Sequence, residues 1–112
     1  MEIETKESEG VTLVYMSGRL TSTTAGQAYD DLVRVAQSGT KKVILNLRGL
    51  EFIASAGLRS ILVAAKLLNN ARGEIRICEA NAAVGEILET SGFDNLVRLC
   101  ADENEALASF TA

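Results

Sequence analysis

Residues 41–58 read KKVILNLRGLEFIASAGL, and this stretch decides the fold. From Lys41 to Leu47 it is a run of Val, Ile and Leu between polar flanks, which is typical of a central strand covered on both faces. Beyond it, apolar residues recur at helical spacing and predict a helix from about Gly57 to Asn70. The apolar face of that helix consists of Leu58, Ile61, Leu62, Ala65 and Leu68. The segment FIASAGL (residues 52–58) therefore lies where a central strand feeds a helix, and such junctions tend to carry function.

Alternating and helical patterns continue on both sides of this unit. Residues 2–7 and 11–18 alternate polar and apolar around a Glu9-Gly10 turn, which predicts an opening β-hairpin. A helix follows in TSTTAGQAYDDLVRVAQSG (residues 21–39), with a threonine as N-cap and Gly39 as C-cap. The order β-β-α-β-α-β-α-β-α predicts an α/β fold: a mixed sheet with an opening hairpin and then parallel strands, and about four helices packed mainly on one face. The later elements are a strand from Glu74 to Cys78, a helix from Asn81 to Thr90 closed by Ser91-Gly92, a short strand at residues 95–99 and a final helix at residues 102–110.

Length, composition and charge limit the class of protein. With 112 residues, of which 47% are apolar and 23% charged, the chain is expected to form a single domain over residues 1–112. Its net charge is −4 and its eleven Lys and Arg residues are scattered, which disfavours nucleic-acid binding. The N-terminus has no basic region followed by an apolar stretch, and the longest apolar stretch, ILVAA, is far too short to cross a membrane. We expect a soluble, cytoplasmic protein without membrane association, and a monomer because no strongly apolar exposed stripe is evident.

The residue composition and motifs exclude several classes of enzyme. The chain has no histidine, which excludes Ser-His-Asp and Cys-His hydrolysis, histidine-ligated metals and phosphohistidine transfer. Cys78 and Cys100 lack CxxC spacing and are interpreted as buried reduced thiols, with a structural disulfide as the alternative. No GxxxxGK[ST] or GxGxxG phosphate-binding loop occurs, and the carboxylate pairs Asp30-Asp31 and Asp102-Glu103 fall in stretches predicted to be helical and solvated. We therefore expect a binding protein with no enzymatic activity, no cofactor and no metal.

Ser55 is the polar residue of the strand-to-helix junction, and two roles are open to it. At a helix start its hydroxyl can cap free backbone N–H groups, and Ser55→Ala would then cost about 0.5 to 2 kcal/mol. Its neighbours Ala54, Ala56 and Gly57 are small, so the hydroxyl would also be open to a large partner. A helix N-terminus would stabilise a phosphoserine, which carries about −1.5 to −2 charge at neutral pH. The residue is either a helix cap or a phosphorylation switch.

Three segments, in the same order along the chain, resemble a known family. VILNLRGLEFIASAGLRSILVAAKLL (residues 43–68) is similar to the signature of bacterial anti-sigma factor antagonists of the STAS domain class, which reads strand, Asp-Ser-Ser or Asp-Ser-Thr, Gly-Leu, helix. SGRLTSTTA (residues 17–25) is similar to their Gly-Glu-Leu-Asp segment, and ILETSGFDNLVRL (residues 87–99) to their Ser-Gly-Leu stretch before the last strand.

This resemblance implies partner switching through Ser55. It implies that a serine kinase of the ATPase type, which is also the anti-sigma factor, binds the unphosphorylated form and releases its client. Phosphorylation of Ser55 would end the complex, and a metal-dependent serine phosphatase would restore it. The client would be a sigma factor or, as in some relatives, a regulator of type III secretion. Ala54 and Thr21 stand where the family has aspartates, and Ala56 replaces the second hydroxyl, which leaves Ser55 as the only acceptor in the loop.

The contact surface implied by the resemblance comprises the Ser55 loop, the exposed start of the next helix and the neighbouring RLTSTT turn. Arg59 is either a solvated helix residue or a contact to the kinase or to the phosphate on Ser55. The threonines of the turn are either an N-cap cluster or part of this surface. The alternative function is a constitutive STAS interaction or scaffold domain in which Ser55 is only a helix cap. The candidate contact residues are Thr21, Ser22, Thr23, Ala54, Ser55, Ala56, Gly57, Arg59 and Ser60.

Overall fold

The computed structural model describes residues 1–110, and its helices and strands follow the predicted order. No helix within these residues is long and apolar enough to cross a membrane. In chain order the elements are β1 (Glu2–Ser8), β2 (Val11–Leu20), α1 (Ala25–Ala36), β3 (Lys42–Ile53), α2 (Ser55–Asn70), β4 (Glu74–Cys78), α3 (Ala82–Thr90), the short 3-10 helix Phe93–Asn95, β5 (Arg98–Cys100) and α4 (Glu103–Ser109).

The strands form one mixed sheet in the order β1-β2-β3-β4-β5. β1 runs antiparallel to β2, and all later pairs are parallel. This arrangement confirms the predicted hairpin followed by parallel strands, since each parallel pair is joined by a helical crossover. β3 occupies the centre of the sheet, as its continuous apolar run predicted, and its carboxyl end leads directly into α2.

The two faces of the sheet are covered unequally. Helices α1, α2 and α3 pack on one face over the main core, which includes Val14, Leu45 and Ile61. Helix α4 packs on the other face, where its Ala106 lies over a small apolar patch. The prediction that the helices pack mainly on one face is confirmed. The small patch is built from Val11, Leu13, Ile44, Cys78 and Cys100, and both cysteines are buried and free, as interpreted from their spacing.

Several predicted boundaries differ from the structure. The short strand predicted at residues 95–99 is Arg98–Cys100, because Phe93–Asn95 forms a 3-10 helix. β3 continues to Ile53 instead of ending near Leu47, and α2 begins at Ser55 instead of Gly57. Register shifts between β2 and β3 break the period-two alternation after Leu47, although pairing continues to the end of both strands. Gly39 is not the C-cap of α1, because that helix ends at Ala36 and the cap residue is Gln37.

Candidate functional site

The carboxyl ends of β2 and β3 bring the two candidate segments of the sequence together. Leu20 and Ile53 are partners in the parallel register, and the Ala54 N–H donates to the Leu20 carbonyl at 2.8 Å. Thr21 and Ala54, the next residue of each segment, therefore lie side by side. The resemblance to anti-sigma factor antagonists implies aspartates at these two positions, and this chain has neither carboxylate.

Gly57 allows α2 to approach the end of β2 closely. A Cβ at this position would lie 2.4 Å from Cγ and 2.7 Å from Cδ2 of Leu20, and 3.3 Å from Cγ1 of Ile53. Contacts below about 3 Å are not tolerated by a packed core without displacement. Gly57 is itself buried. Its place in the Ser-Ala-Gly-Leu motif is therefore explained by packing, and it does not contribute to an exposed contact surface.

Ser55 is the first residue of α2 and is exposed. The cap residue is Ala54, whose carbonyl accepts from the N–H groups of Gly57 at 2.9 Å and Leu58 at 3.0 Å. No side chain caps this helix, and the Ser55 hydroxyl has no hydrogen-bond partner within residues 1–110. The interpretation of Ser55 as a capping hydroxyl is therefore wrong. Its oxygen is exposed and unbonded, and it lies at the end of the helix where the first-turn N–H groups are found.

The threonine turn beside Ser55 is internally bonded. The Thr24 hydroxyl donates to the Arg19 carbonyl at 2.9 Å and accepts from the Thr21 N–H at 2.9 Å. The Thr21 hydroxyl accepts from the Thr23 N–H at 3.2 Å. A threonine was predicted as the N-cap of α1, and Thr24 occupies that position. Its side chain, however, makes no capping hydrogen bond to the helix. Ser22 and Thr23 are the exposed members of the turn, and Thr21 and Thr24 are partly exposed.

Arg59 and Ser60 were both expected at the exposed start of α2, and the structure separates them. Arg59 is exposed and lies one helical turn after Ser55. Ser60 is only 5% exposed, and its hydroxyl is within 3.1 Å of both the Ala25 and Ala56 carbonyl oxygens. The expectation that Ser60 contacts a partner is wrong, because this side chain joins α2 to α1. Among the other candidates, Thr21, Ala54 and Ala56 are partly exposed. The exposed candidates are Ser22, Thr23, Ser55 and Arg59, which together are called the Ser55 surface.

An exposed aromatic residue at the same edge of the sheet was missed by the sequence analysis. Phe52 is 38% exposed, and the guanidinium carbon of Arg19 lies 4.8 Å from the centre of its ring. The two residues are partners in the β2–β3 register, which is irregular at this point. The apolar pattern predicted a strand that ends near Leu47, so it did not place Phe52 on the sheet. An exposed aromatic ring paired with a cation is a common feature of protein interfaces.

A second polar cluster lies on the α4 side of the sheet. The Asn46 Nδ2 donates to the Glu79 Oε2 and the Glu103 Oε1, both at 3.2 Å, and the Asn46 Oδ1 accepts from the Arg48 N–H at 2.9 Å. The Tyr15 hydroxyl donates to the same Glu103 oxygen at 2.8 Å. These residues border an open cavity of about 580 Å³. Glu103 is half-buried and bonded, so the expectation that the Asp102-Glu103 pair is solvated is wrong for Glu103.

Hydrogen bonds of this cluster hold the start of α4 against the sheet. The pKa values of Tyr15 and Cys78 are both raised here. Burial, together with the hydrogen bond and the charge of Glu103, raises the pKa of Tyr15 to about 12. Burial and then the charges of Glu79 and Glu103 raise the pKa of the Cys78 thiol to about 12. A buried, protonated thiol is a poor nucleophile, so Cys78 is not a reactive cysteine. The sequence signal for the cluster was Asn46, a lone amide within the apolar run VILNL.

Comparisons with known proteins agree with this architecture. The family model of the STAS domain matches residues 2–106. BtrV of Bordetella bronchiseptica, named as a candidate anti-sigma factor antagonist, is 32% identical over 110 residues, covering 98% of this chain and 95% of BtrV.

Two solved structures share the fold. The anti-sigma factor antagonist from Mycobacterium paratuberculosis superposes with a TM-score of 0.91 at 20% identity, covering 99% of this chain and 94% of that one. The phosphorylated form of SpoIIAA, a Bacillus cell fate determinant, superposes with a TM-score of 0.74 at 17% identity, covering 97% and 99% of the two chains.

Proposed function

This chain belongs to the STAS domain family, and from that premise we propose that it is an anti-sigma factor antagonist that acts by partner switching. Its unphosphorylated form binds a serine kinase of the ATPase type that is also an anti-sigma factor, and this binding releases the kinase's client. Phosphorylation of Ser55 ends the complex, and a metal-dependent serine phosphatase restores it. The client is a sigma factor or a regulator of type III secretion, and the exchange takes place in the cytoplasm. The protein is thus a substrate of two enzymes and has no enzymatic activity of its own.

The observation that carries this proposal is the free hydroxyl of Ser55. It is exposed, it begins α2, and it has no hydrogen-bond partner within residues 1–110. In the phosphorylation step the Ser55 Oγ attacks the γ-phosphorus of ATP held by the kinase, ADP leaves, and the hydroxyl proton passes to a base of the kinase. The phosphate then sits at a helix N-terminus, where unpaired N–H groups and the helix dipole favour negative charge.

Two known proteins support this proposal. The name of BtrV supports the antagonist function, since the two chains are similar over nearly their whole length. SpoIIAA has this fold and has been solved in a phosphorylated form, so a protein of this shape can carry the modification. The accessible residues beside Ser55 are small or polar, which suits a site that must enter the cleft of a kinase.

The switch itself is electrostatic and steric. The neutral Ser55 surface packs against the kinase in the unmodified form, with the half-exposed ring of Phe52 at the same edge. A phosphate placed in that contact brings about two negative charges, whose desolvation and repulsion oppose binding. A cost of about 2.8 kcal/mol already lowers affinity a hundredfold. No large rearrangement of the fold is needed for such a change in population.

The test is a pull-down from lysate of the source organism with the wild type, Ser55→Ala and Ser55→Asp as baits, followed by mass spectrometry of the retained proteins. The wild type and Ser55→Ala should retain an ATPase-type serine kinase, and Ser55→Asp should not. Ser8→Asp is the matched control, because Ser8 is an exposed serine at the end of β1. It adds the same charge away from the Ser55 surface and should bind like the wild type.

Two outcomes contradict the proposal. Retention of the same partners by Ser55→Asp and by the wild type would indicate a constitutive interaction domain. Loss of the kinase from Ser8→Asp as well as from Ser55→Asp would indicate that net charge, and not the position of the charge, controls binding. Once the kinase is known, its affinity for each purified variant gives the size of the switch.

A further inference from the structure

The charged residue closest to Ser55 along α2 is Arg59. The two residues are four apart, a spacing that places their Cβ atoms about 6 Å apart on one face of a helix. Helical side chains lean toward the N-terminus of the helix, so the Arg59 side chain leans toward the turn that carries Ser55. Both side chains are exposed. The guanidinium of Arg59 makes no hydrogen bond or ion pair within the part of the chain that the structure describes.

The turn between β2 and α1 brings no carboxylate to the Ser55 loop. The first turn of α1 has no acidic residue, and the turn between β2 and α1 is built of Thr and Ser. Thr21 and Ala54 occupy the two positions where acids would have stood beside Ser55. The remaining charges belong to the strand ends: Arg19 on β2, and Arg48 and Glu51 on β3. The cation on the same helix face as Ser55, one turn away, is Arg59.

We propose that Arg59 binds the phosphate on Ser55 and neutralises part of its charge within the same molecule. This inference rests on the proposed phosphorylation of Ser55. A guanidinium offers two parallel N–H groups to two phosphate oxygens, a geometry that an ammonium group does not match. In the unmodified protein Arg59 is free to meet an acidic group of a partner. In the phosphorylated protein the same guanidinium is engaged, so the phosphate both adds charge to the Ser55 surface and removes a cation from it.

The test needs no kinase, because phosphoserine can be incorporated at position 55 during synthesis. Phosphorus NMR across a pH titration then reports the second pKa of the phosphate, which is ordinarily about 6. A nearby guanidinium favours the dianion and lowers this pKa. In Arg59→Gln the pKa should rise by about half a pKa unit relative to the unsubstituted phosphoprotein. Arg59→Lys should fall between the two, because it keeps the charge and loses the paired N–H groups.

Lys66→Gln is the matched control. Lys66 is an exposed cation on the same helix, about three turns from Ser55, and its loss changes net charge by the same amount. The phosphate pKa in this variant should equal that of the unsubstituted phosphoprotein. The proposal is overturned if Arg59→Gln leaves the phosphate pKa unchanged, or if Lys66→Gln raises it equally. Because the phosphate is installed without an enzyme, neither result depends on whether a kinase modifies Ser55.

Discussion

Gly57 of α2 lies directly against Leu20 of β2, so closely that a methyl group on the glycine would come within 2.4 Å of the leucine Cγ. Leu20 is fully buried and cannot move aside without disturbing the core. The missing side chain lets the start of α2 sit on the end of β2, where the Ala54 N–H reaches the Leu20 carbonyl. Through this contact a glycine positions Ser55 beside the threonine turn.

Gly57→Ala should lower the free energy of unfolding by about 1 to 3 kcal/mol, the usual cost of overpacking a core. Urea unfolding followed by circular dichroism measures this difference. Gly26→Ala is the control, because Gly26 lies in α1 with no atom within 4 Å of an added Cβ. Alanine favours a helix over glycine by up to about 1 kcal/mol, so this variant should be unchanged or more stable. Equal losses in the two variants would argue against the close approach of Gly57 and Leu20.

Ser55→Ala should leave the free energy of unfolding within about 0.5 kcal/mol of the wild type, because an exposed hydroxyl without a partner is removed. Asn81→Ala supplies the contrast. The Asn81 Oδ1 accepts from the Val84 N–H at 2.8 Å and caps α3, so its loss should cost about 1 kcal/mol. Both values come from the same urea unfolding experiment. If Ser55→Ala lowers the free energy of unfolding as much as Asn81→Ala does, Ser55 acts as a helix cap.

Tyr15 should ionise with a midpoint near pH 12, above its ordinary pKa of 10.0, because burial and the Glu103 carboxylate disfavour the phenolate. The chain has two tyrosines, so a Tyr29→Phe background leaves the tyrosinate absorbance to Tyr15 alone. Glu103→Gln should lower the midpoint only in part, since burial is the larger cause. A midpoint near 10 in the folded Tyr29→Phe protein would contradict both the burial of the Tyr15 hydroxyl and its hydrogen bond to Glu103.

The raised pKa of Tyr15 also means that the free energy of unfolding decreases at alkaline pH. As the pH rises above about 10, the unfolded chain releases the Tyr15 proton first, so the unfolded state binds fewer protons and stability falls until about pH 12. The Cys78 thiol acts in the same direction, because its pKa is raised from 9.0 to about 12. Tyr15→Phe should therefore reduce the alkaline loss of stability without abolishing it.

The order and type of the elements could be predicted from the sequence because they depend on local periodicity. The apolar run at the centre of β3 and the spacing of apolar residues in α2 each fall within a short window. Element ends were less predictable: β3 extends beyond its continuous apolar run because it stays paired with β2 through a register shift. The position of Ser55 at the strand-to-helix junction could also be predicted, since it needed only the two neighbouring patterns.

The sequence by itself determined that this chain builds a mixed α/β sheet and that a serine stands where its central strand enters a helix. Only the tertiary structure decided which side chains at that place are free. Ser60 is buried because its hydroxyl meets Ala25, a residue 35 positions away, and Asn46 holds Glu103 across 57 positions. Such contacts depend on how distant segments pack, which local periodicity does not encode. The same packing leaves the hydroxyl of Ser55 exposed and unbonded, with Arg59 one turn beyond it.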